Sequence, residues 1–471
     1  MTLSTPPVSP RPGDIRILEV RHDFEDFRLR MPYRFGGRTI AHLTLLNVSV
    51  LVGNGRDRQA RGAGCMPMGN VWAFPSSRVT HDQSLAAMRV LAARIASITA
   101  RHPHRAHPID LYRSLEPLYL GAAAQVSAEI GLAEPIPKLC ALVVASAFDL
   151  ALHDAFGNVN GVNAYHAYGP EFMGRDLGHY LGEDFKGEWL DRYLRSSPAP
   201  TLHLYHSVGA SDPLDSLDGG PAVEDGLPQT LAEWIAAEGL THFKVKLNGG
   251  DLRLDVDRMV DIERVVSACQ GKRGVRDWKY SLDFNEGCRD VDYLLDFLEV
   301  IKRRAPSVTA RLQYVEQPTS RNLAGPPRIL LHRAARKVPL VADEALVDLE
   351  SFRLAREVGY SGVALKTCKG QSQSLLLAAA ARKYGAYLCV QDLTCPGLSL
   401  IHSAGLAARL PGVHALEANS RQYIPSANRR WESRFPALFR ITDGRLGTAG
   451  LTGTGLGTGS VRVSRRAERH S

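Results

Sequence analysis

Strand-like runs in the second half of the chain repeatedly end in an acidic or a basic residue, and a helix-like stretch follows each run. The runs read FKVK (243–246), YSLDFN (280–285), LQYVEQP (312–318), PLVADE (339–344) and GVALK (362–366). Alternating strands and helices with functional groups at the strand ends are typical of a β/α barrel, whose chemistry lies at the carboxyl ends of the strands. The pattern therefore predicts such a barrel.

The number of strand-like segments supports a closed barrel. They occur at about 202–208, 242–247, 280–285, 311–316, 338–342, 361–367, 386–391 and 413–417. Eight strands are what a closed parallel barrel needs. We therefore assign residues 201–418 to the catalytic barrel, and expect a seven- or eight-stranded, TIM-like α/β fold.

The segments on either side of the barrel predict a second domain. Residues 1–200 begin with two alternating strand-like runs around Gly36-Gly37, and helical periodicity follows at 82–99 and 138–156. Strands followed by helices indicate an α+β domain. We expect residues 419–471 to fold back onto this domain, so that both segments form a cap over the barrel, and to end in a basic flexible tail.

Composition excludes several classes of protein. The 471 residues carry a net charge of +8, but the excess is mostly scattered arginine, apart from a tail containing Arg462, Arg465, Arg466 and Arg469. This distribution does not predict a nucleic-acid surface. The chain has no run of about 18 uncharged apolar residues, so we expect no membrane span. The seven dispersed cysteines favour free thiols in a cytoplasmic protein. We also expect a homo-oligomer.

Three of the strand-end residues are carboxylates. Asp283, Glu316 and Asp343 are separated by 33 and 27 residues, about the length of one β/α unit, so they should lie at the same level on consecutive strands. One such acid alone would as readily be a helix N-cap or a surface charge, but three together can bind a hard divalent cation. Asn285 and Glu344 are either partners that orient these ligands or ordinary loop residues.

Lysines flank the three acids along the chain. Lys244 and Lys246 share one face of their strand, because side chains repeat every two residues. Lys366 ends a later strand and Lys369 follows it. A lysine that acts as a base needs a pKa near neutrality, which burial and a nearby cation would provide. The alternative is that these are ordinary solvated lysines.

With these motifs in view, the chain resembles the enolase superfamily, in its mandelate racemase/muconate lactonizing enzyme branch. The segments Pro32 to Gly36 and Ala147 to Gly157 look like the mobile loop and the helix of the family's first domain. The motifs that carry the resemblance follow the family's order: Lys-x-Lys at 244–246, Asp-x-Asn at 283–285, Glu-Gln-Pro at 316–318, Asp-Glu at 343–344, Lys-x-x-Lys at 366–369, and a closing segment at 443–444 and 455–457.

The resemblance implies a chemistry. It implies Mg²⁺ held by Asp283, Glu316 and Asp343, and removal of the α-proton of a small-molecule carboxylate to give a metal-stabilised enediolate. It also implies that Lys246 and Lys366 form the acid/base pair on opposite faces of the substrate. The residues assigned to substrate binding or support are Lys244, Asn285, Glu344, Lys369, Asp392 and Asn419.

Departures from the family narrow the choice of reaction. The seventh strand ends in Gln391-Asp392 without the histidine of mandelate racemases. The eighth ends in Glu417-Ala418-Asn419, whereas dipeptide epimerases carry Asp-x-Asp. Our leading hypothesis is a racemase or epimerase, or a cycloisomerase. An acid-sugar or hydroxy-acid dehydratase is the first alternative, and a non-catalytic binding protein on the same fold is the second. We expect neither nucleic acid nor a membrane as a partner.

Overall fold

The computed structural model describes residues 10–35, 37–216, 218 and 223–460. The basic tail predicted around Arg462 to Arg469 lies outside these residues. The strands are β1 (Ile15–Phe35), β2 (Arg38–Asn54), β3 (Gln59–Pro67), β4 (Thr201–Val208), β5 (His242–Lys246), β6 (Lys279–Asp283), β7 (Leu312–Glu316), β8 (Leu340–Ala342), β9 (Gly362–Leu365), β10 (Tyr387–Val390), β11 (Ala415–Glu417) and β12 (Arg445–Gly447).

Sixteen α-helices lie in the described part of the chain. They are α1 (Asn70–Ala73), α2 (His81–Ala100), α3 (Pro108–Glu129), α4 (Lys138–Asn160), α5 (Leu177–Leu181), α6 (Leu231–Glu238), α7 (Leu252–Arg273), α8 (Val291–Arg304), α9 (Pro306–Arg311), α10 (His332–Ala335), α11 (Leu349–Val358), α12 (Gln371–Lys383), α13 (Leu398–Arg409), α14 (Ser420–Tyr423), α15 (Arg429–Glu432) and α16 (Pro436–Phe439). Several helices start at polar caps; for example, Thr80 and Thr230 form capping boxes at α2 and α6.

The barrel is closed and parallel, as the sequence predicts. Strands β4 to β11 pair in chain order, and β11 returns to β4 with Ala415 opposite His203. Because all eight strands run in the same direction, their carboxyl ends open on one face, where loops can bring functional groups together. The short strand β12 is antiparallel and extends the sheet beside β4.

A three-stranded antiparallel sheet, in the order β1-β2-β3, forms the cap together with α2, α3 and α4. Strand β3 packs directly on α4 because it carries glycine where a side chain would not fit. A Cβ at Gly64 would lie 1.9 Å from the carbonyl oxygen of Ala147, and one at Gly62 would lie 2.1 Å from the amide nitrogen of Ala155. These two glycines therefore permit the close approach of the sheet to the helix.

Helix α4 is the core of the cap. It is long and apolar enough to cross a membrane by length and composition alone, yet its apolar window is completely buried inside the protein. It also carries Asp154, which accepts hydrogen bonds from the backbone of Ala63 at 2.9 Å and of Leu456 at 2.8 Å. This one carboxylate thus joins β3 and the C-terminal segment to α4.

Candidate active site

Five neighbouring strands place the predicted residues in the order lysine, acid, acid, acid, lysine. In the strand register Lys246 lies opposite Asp283, and Asp283 lies opposite Glu316. Glu316 lies opposite Val341, so Asp343 follows just beyond the end of β8, and Lys366 follows the end of β9. The barrel therefore brings residues spread over more than a hundred positions to a single edge.

Lys244 lies at the centre of this edge and has no exposed surface. Its Nζ is 2.9 Å from both carboxylate oxygens of Glu316, 2.8 Å from Glu417 and 3.2 Å from Asp283. A lysine with three carboxylate partners in the protein interior is not a solvated lysine of a surface strand. It neutralises part of a dense negative charge.

The outer lysines pair with the outer acids. Lys246 Nζ donates to Asp283 at 2.5 Å. Lys366 Nζ lies 2.8 Å from Asp343 Oδ2, and Lys369 donates to Asp343 Oδ1 at 2.9 Å. All five side chains are almost completely buried. Each outer acid therefore has an outer lysine as a partner, and Asp343 has Lys369 as a second partner.

The pKa values of the acids reflect these contacts. Burial favours the protonated form, but the charges of Lys246 and Lys244 lower the pKa of Asp283 to about 2. Lys366 and Lys369 likewise hold the pKa of Asp343 below its usual range against the effect of burial. Glu316 has no such excess of cations, and burial together with the charge of Asp283 raises its pKa to about 8.

The lysines differ from expectation in one respect. We expected burial and a cation to lower their pKa values. Burial does disfavour the charged form of Lys246 and Lys366, but the neighbouring carboxylates, chiefly Asp283 and Asp343, outweigh it and raise both pKa values. Each lysine is ion-paired with a carboxylate, so a lowered lysine pKa would require a cation that takes these carboxylates away from the lysines.

The donor set suits Mg²⁺ in its chemistry. Buried carboxylates outnumber lysines at the strand ends, since Glu344, Asp392 and Glu417 add to the three acids, and hard oxygen donors are what Mg²⁺ prefers. Within the described residues no group of three His, Cys, Asp or Glu side chains is already arranged around one point. The acids face the lysines instead, so binding a cation requires Asp283 and Asp343 to exchange their lysine partners for it.

The cap contacts both outer lysines with aromatic rings. The Trp72 ring centroid lies 4.7 Å from Lys366 Nζ, and the Phe35 ring centroid lies 5.8 Å from Lys246 Nζ. The orientation of the Trp72 ring is fixed by a hydrogen bond, because its Nε1 donates to Glu344 at 2.9 Å. Asn285 donates to the same carboxylate oxygen at 3.1 Å, so Asn285 and Glu344, which were both predicted to support the site, are in contact with each other.

Three described residues of the long segment 209–228 hold the end of the β1–β2 hairpin on the barrel. Arg30 donates to Asp225 at 2.5 and 2.7 Å and to the carbonyl of Pro228 at 3.1 Å. Ala210 donates to the carbonyl of Arg34 at 3.0 Å. These contacts fix the part of the hairpin that carries Phe35.

One cavity joins the cap to the barrel end. The residues that line it on the barrel side are Lys246, Asn285, Lys366, Asp392, Leu393, Thr394, Glu417 and Asn419. On the cap side they are Tyr33, Phe35, Ile40, His42, Leu43, Thr44, Pro67, Met68, Gly69, Asn70, Val71, Trp72, His81 and Leu85. Five predicted site residues therefore line the cavity: the outer lysines Lys246 and Lys366, and the supporting residues Asn285, Asp392 and Asn419. Lys244 and the three acids lie beneath it.

Three contributors were not among the predicted site residues. Gln391 donates to Glu316, Glu417 pairs with Lys244, and Trp72 covers Lys366. The first two carry the signal used for the others, a polar residue at the end of a barrel strand. Trp72 has no such signal, because its partner Glu344 lies 272 residues away in the sequence.

Comparisons with known proteins agree with this architecture. The model of the "Enolase C-terminal domain-like" family matches residues 227–459. The chain is similar to the solved structure of muconate lactonizing enzyme from Pseudomonas fluorescens complexed with muconolactone, with 17% identity, coverage of 94% of this chain and 95% of that one, and a TM-score of 0.58.

Two further structures are similar to the same extent. One is a dipeptide epimerase from Enterococcus faecalis complexed with Mg and L-Leu-L-Tyr, at 15% identity, with 94% and 99% of the two chains covered and a TM-score of 0.61. The other is an enolase from Bradyrhizobium complexed with magnesium and mandelic acid, at 18% identity, 94% and 96% coverage and a TM-score of 0.58.

A comparison with curated protein sequences found no match. At the low identities of the solved structures the likeness shows the fold. The family model, the closed barrel with its cap and the five motifs in order all lead to the same assignment. Residues 227–459, which contain seven of the eight barrel strands, belong to the enolase C-terminal domain-like family, and the whole chain has the fold of solved structures that include a muconate lactonizing enzyme and a dipeptide epimerase.

Proposed function

We propose that this protein is a Mg²⁺-dependent enzyme that removes the α-proton of a carboxylate substrate and returns a proton to the product, as a racemase or epimerase or as a cycloisomerase. The observation that carries the proposal is the placement of Lys246 and Lys366. They end strands on either side of the three acid-bearing strands, and both line the same cavity. A small molecule in this cavity would have an amine on each side.

Asp283, Glu316 and Asp343 would hold the Mg²⁺. When bound, it would supply positive charge to offset the negative charge that grows on the substrate carboxylate. Lys244 and Gln391 contact Glu316, and Asn285 is hydrogen-bonded to Glu344. These contacts would keep the carboxylates in place.

The lysines would transfer the proton. One of them, in its neutral form, takes the proton from the α-carbon, because a base must lie within hydrogen-bond reach of the proton that it removes. The other, as an ammonium, donates a proton to the opposite face. Phe35 and Trp72 pack over the two amines and exclude water from them.

The test is loss of the α-proton in D₂O, followed by ¹H NMR over a library of carboxylic acids, with Mg²⁺ present or removed by EDTA. We expect exchange with at least one acid, dependent on Mg²⁺ and abolished in the Lys246→Ala/Lys366→Ala double variant. A control variant, Lys337→Ala, changes an exposed lysine paired with Glu299 and should exchange normally. Exchange that persists in the double variant would refute the acid/base assignment.

A dehydratase is the second candidate. The Asp392 carboxyl lines the cavity with the lysines, and burial and then the charge of Glu417 raise its pKa to about 7. A group that holds a proton at neutral pH can help hydroxide to leave. Loss of water from a 2,3-dihydroxy acid to give a 2-keto-3-deoxy acid, abolished in Asp392→Asn, would favour this reaction over racemisation.

A further inference from the structure

We propose that the substrate is a monocarboxylate with an apolar, uncharged remote group and an N–H or O–H donor beside its reacting carbon. This inference rests on the proposed function and specifies its substrate class. It follows from two properties of the cavity: the distribution of charge over its walls, and two buried oxygen atoms that lack a hydrogen-bond partner.

Charge is confined to the barrel end of the cavity. There the charged lining residues are Lys246, Lys366, Asp392 and Glu417. The cap wall opposite them is largely apolar, and its main side chains are Phe35, Ile40, Leu43, Val71, Trp72 and Leu85. A substrate whose carboxylate lies at the barrel end would therefore place its remote group against hydrocarbon and aromatic surface.

A second carboxylate on the substrate would find no lysine or arginine among the described residues of this wall. Among the described lining residues there is no arginine, and the two lysines, Lys246 and Lys366, lie at the barrel end, where they would face the reacting carbon. Moving an unpaired carboxylate from water to a surface of this kind is unfavourable. The cavity therefore selects against dicarboxylates.

A remote ammonium group on the substrate is disfavoured because the described residues of the cap wall offer it no free carboxylate. No aspartate or glutamate of the cap is among the described lining residues, and the cap's His81 is itself 3.0 Å from Asp82. Glu417, at the barrel end, is 2.8 Å from Lys244. Asp392 accepts hydrogen bonds from the backbone of the two following loop positions, 394 and 395, at 3.2 and 3.1 Å.

The unsatisfied oxygen atoms indicate a donor on the substrate. Asn419 lines the cavity, is only 2% exposed, and its Oδ1 has no hydrogen-bond partner among the described residues. Asn285 Oδ1 is also buried without a hydrogen-bond partner among these residues, while the amide nitrogen of Asn285 donates to Glu344. A buried acceptor without a partner is costly, so a substrate N–H or O–H that reaches it would be favoured.

The test is a set of binding measurements by isothermal titration calorimetry in Mg²⁺. The two compounds expected to bind are 3-phenyllactate, an O–H donor, and N-acetylphenylalanine, an N–H donor. The three expected to bind at least about tenfold more weakly are 2-methoxy-3-phenylpropanoate, which lacks the donor, 2-hydroxyglutarate, which adds a carboxylate, and 6-amino-2-hydroxyhexanoate, which adds an ammonium. The inference would be overturned if 2-hydroxyglutarate or 6-amino-2-hydroxyhexanoate bound as tightly as 3-phenyllactate and N-acetylphenylalanine, or more tightly. It would also be overturned if neither of these two expected ligands bound.

Two variants locate the selectivity. Leu85→Arg puts a cation on the cap wall and should shift the ratio of affinities toward 2-hydroxyglutarate by about tenfold or more. Leu118→Arg, at a leucine that is 53% exposed on α3 and outside the cavity, is the matched control and should leave the ratio unchanged. Asn419→Leu should remove the preference for 3-phenyllactate over its methyl ether. An unchanged ratio of affinities in Leu85→Arg would contradict the assignment of the wall.

The two proposals fail separately. Tight binding of the apolar compounds without α-proton exchange would refute the proposed chemistry and leave the substrate class standing. Exchange with a dicarboxylate in preference to the apolar acids would support the chemistry and overturn the substrate class.

Discussion

Lys244 provides the sharpest test of how charge is balanced at the strand ends. Lys244→Met keeps the length of the side chain and removes its charge, which leaves Glu316, Glu417 and Asp283 without their common partner. Removing one member of a buried ion pair typically costs about 3–5 kcal/mol. We expect a loss of stability of that size, because all four groups lie within the barrel and water cannot replace the lysine.

The measurement is urea denaturation followed by tryptophan fluorescence and near-UV circular dichroism. The control is Lys337→Met, which breaks an ion pair with Glu299 that is 45% exposed on each side and should leave the midpoint nearly unchanged. Added Mg²⁺ should restore part of the stability of Lys244→Met, since a ligand that binds only the folded state stabilises it. Equal midpoints for the two variants would refute the account of the charge balance.

Three further outcomes are expected. Glu316→Gln should weaken Mg²⁺ binding in calorimetry, because it removes a charged oxygen ligand, and affinity equal to the parent would count against the site. Burial raises the pKa of Asp149 to about 7 despite its hydrogen bonds, so its contribution to stability is complete below about pH 4 and is lost as the pH rises toward 7. Asp149→Asn should reduce this loss by up to about 4 kcal/mol, measured by thermal unfolding between pH 4 and 7. Gly64→Ala should lower the melting temperature because its Cβ would lie 1.9 Å from a carbonyl oxygen of α4, whereas Gly121→Ala, with open space around it on α3, should not.

The barrel, and the position of its functional groups at the carboxyl ends of the strands, could be predicted from the sequence for a clear physical reason. A parallel strand followed by a helix has a nearly constant length, so the spacing of Asp283, Glu316 and Asp343 specifies neighbouring strand ends. The same rule applies to Gln391 and Glu417, which also follow or end barrel strands and contact the site, although the predicted site does not include them. The signal was present in the sequence.

Other features depend on contacts that no local pattern contains. The contact of Trp72 with Lys366 arises only when the cap is placed on the barrel. The same holds for the bond between Arg30 and Asp225, which attaches the hairpin to a loop 195 residues away in the sequence. The pairing of the lysines with carboxylates, and hence their raised pKa values, follows from side-chain directions within the barrel, which strand spacing does not specify.

The most direct test of the central claim is the stereochemistry of proton exchange in the single lysine variants. With a carboxylic acid that exchanges in the wild-type protein, each enantiomer is incubated separately in D₂O with Mg²⁺, and loss of the α-proton is followed by ¹H NMR. If Lys246 and Lys366 act on opposite faces, Lys246→Ala should lose exchange from one enantiomer and Lys366→Ala from the other. Full exchange of both enantiomers in either variant would contradict the two-lysine mechanism.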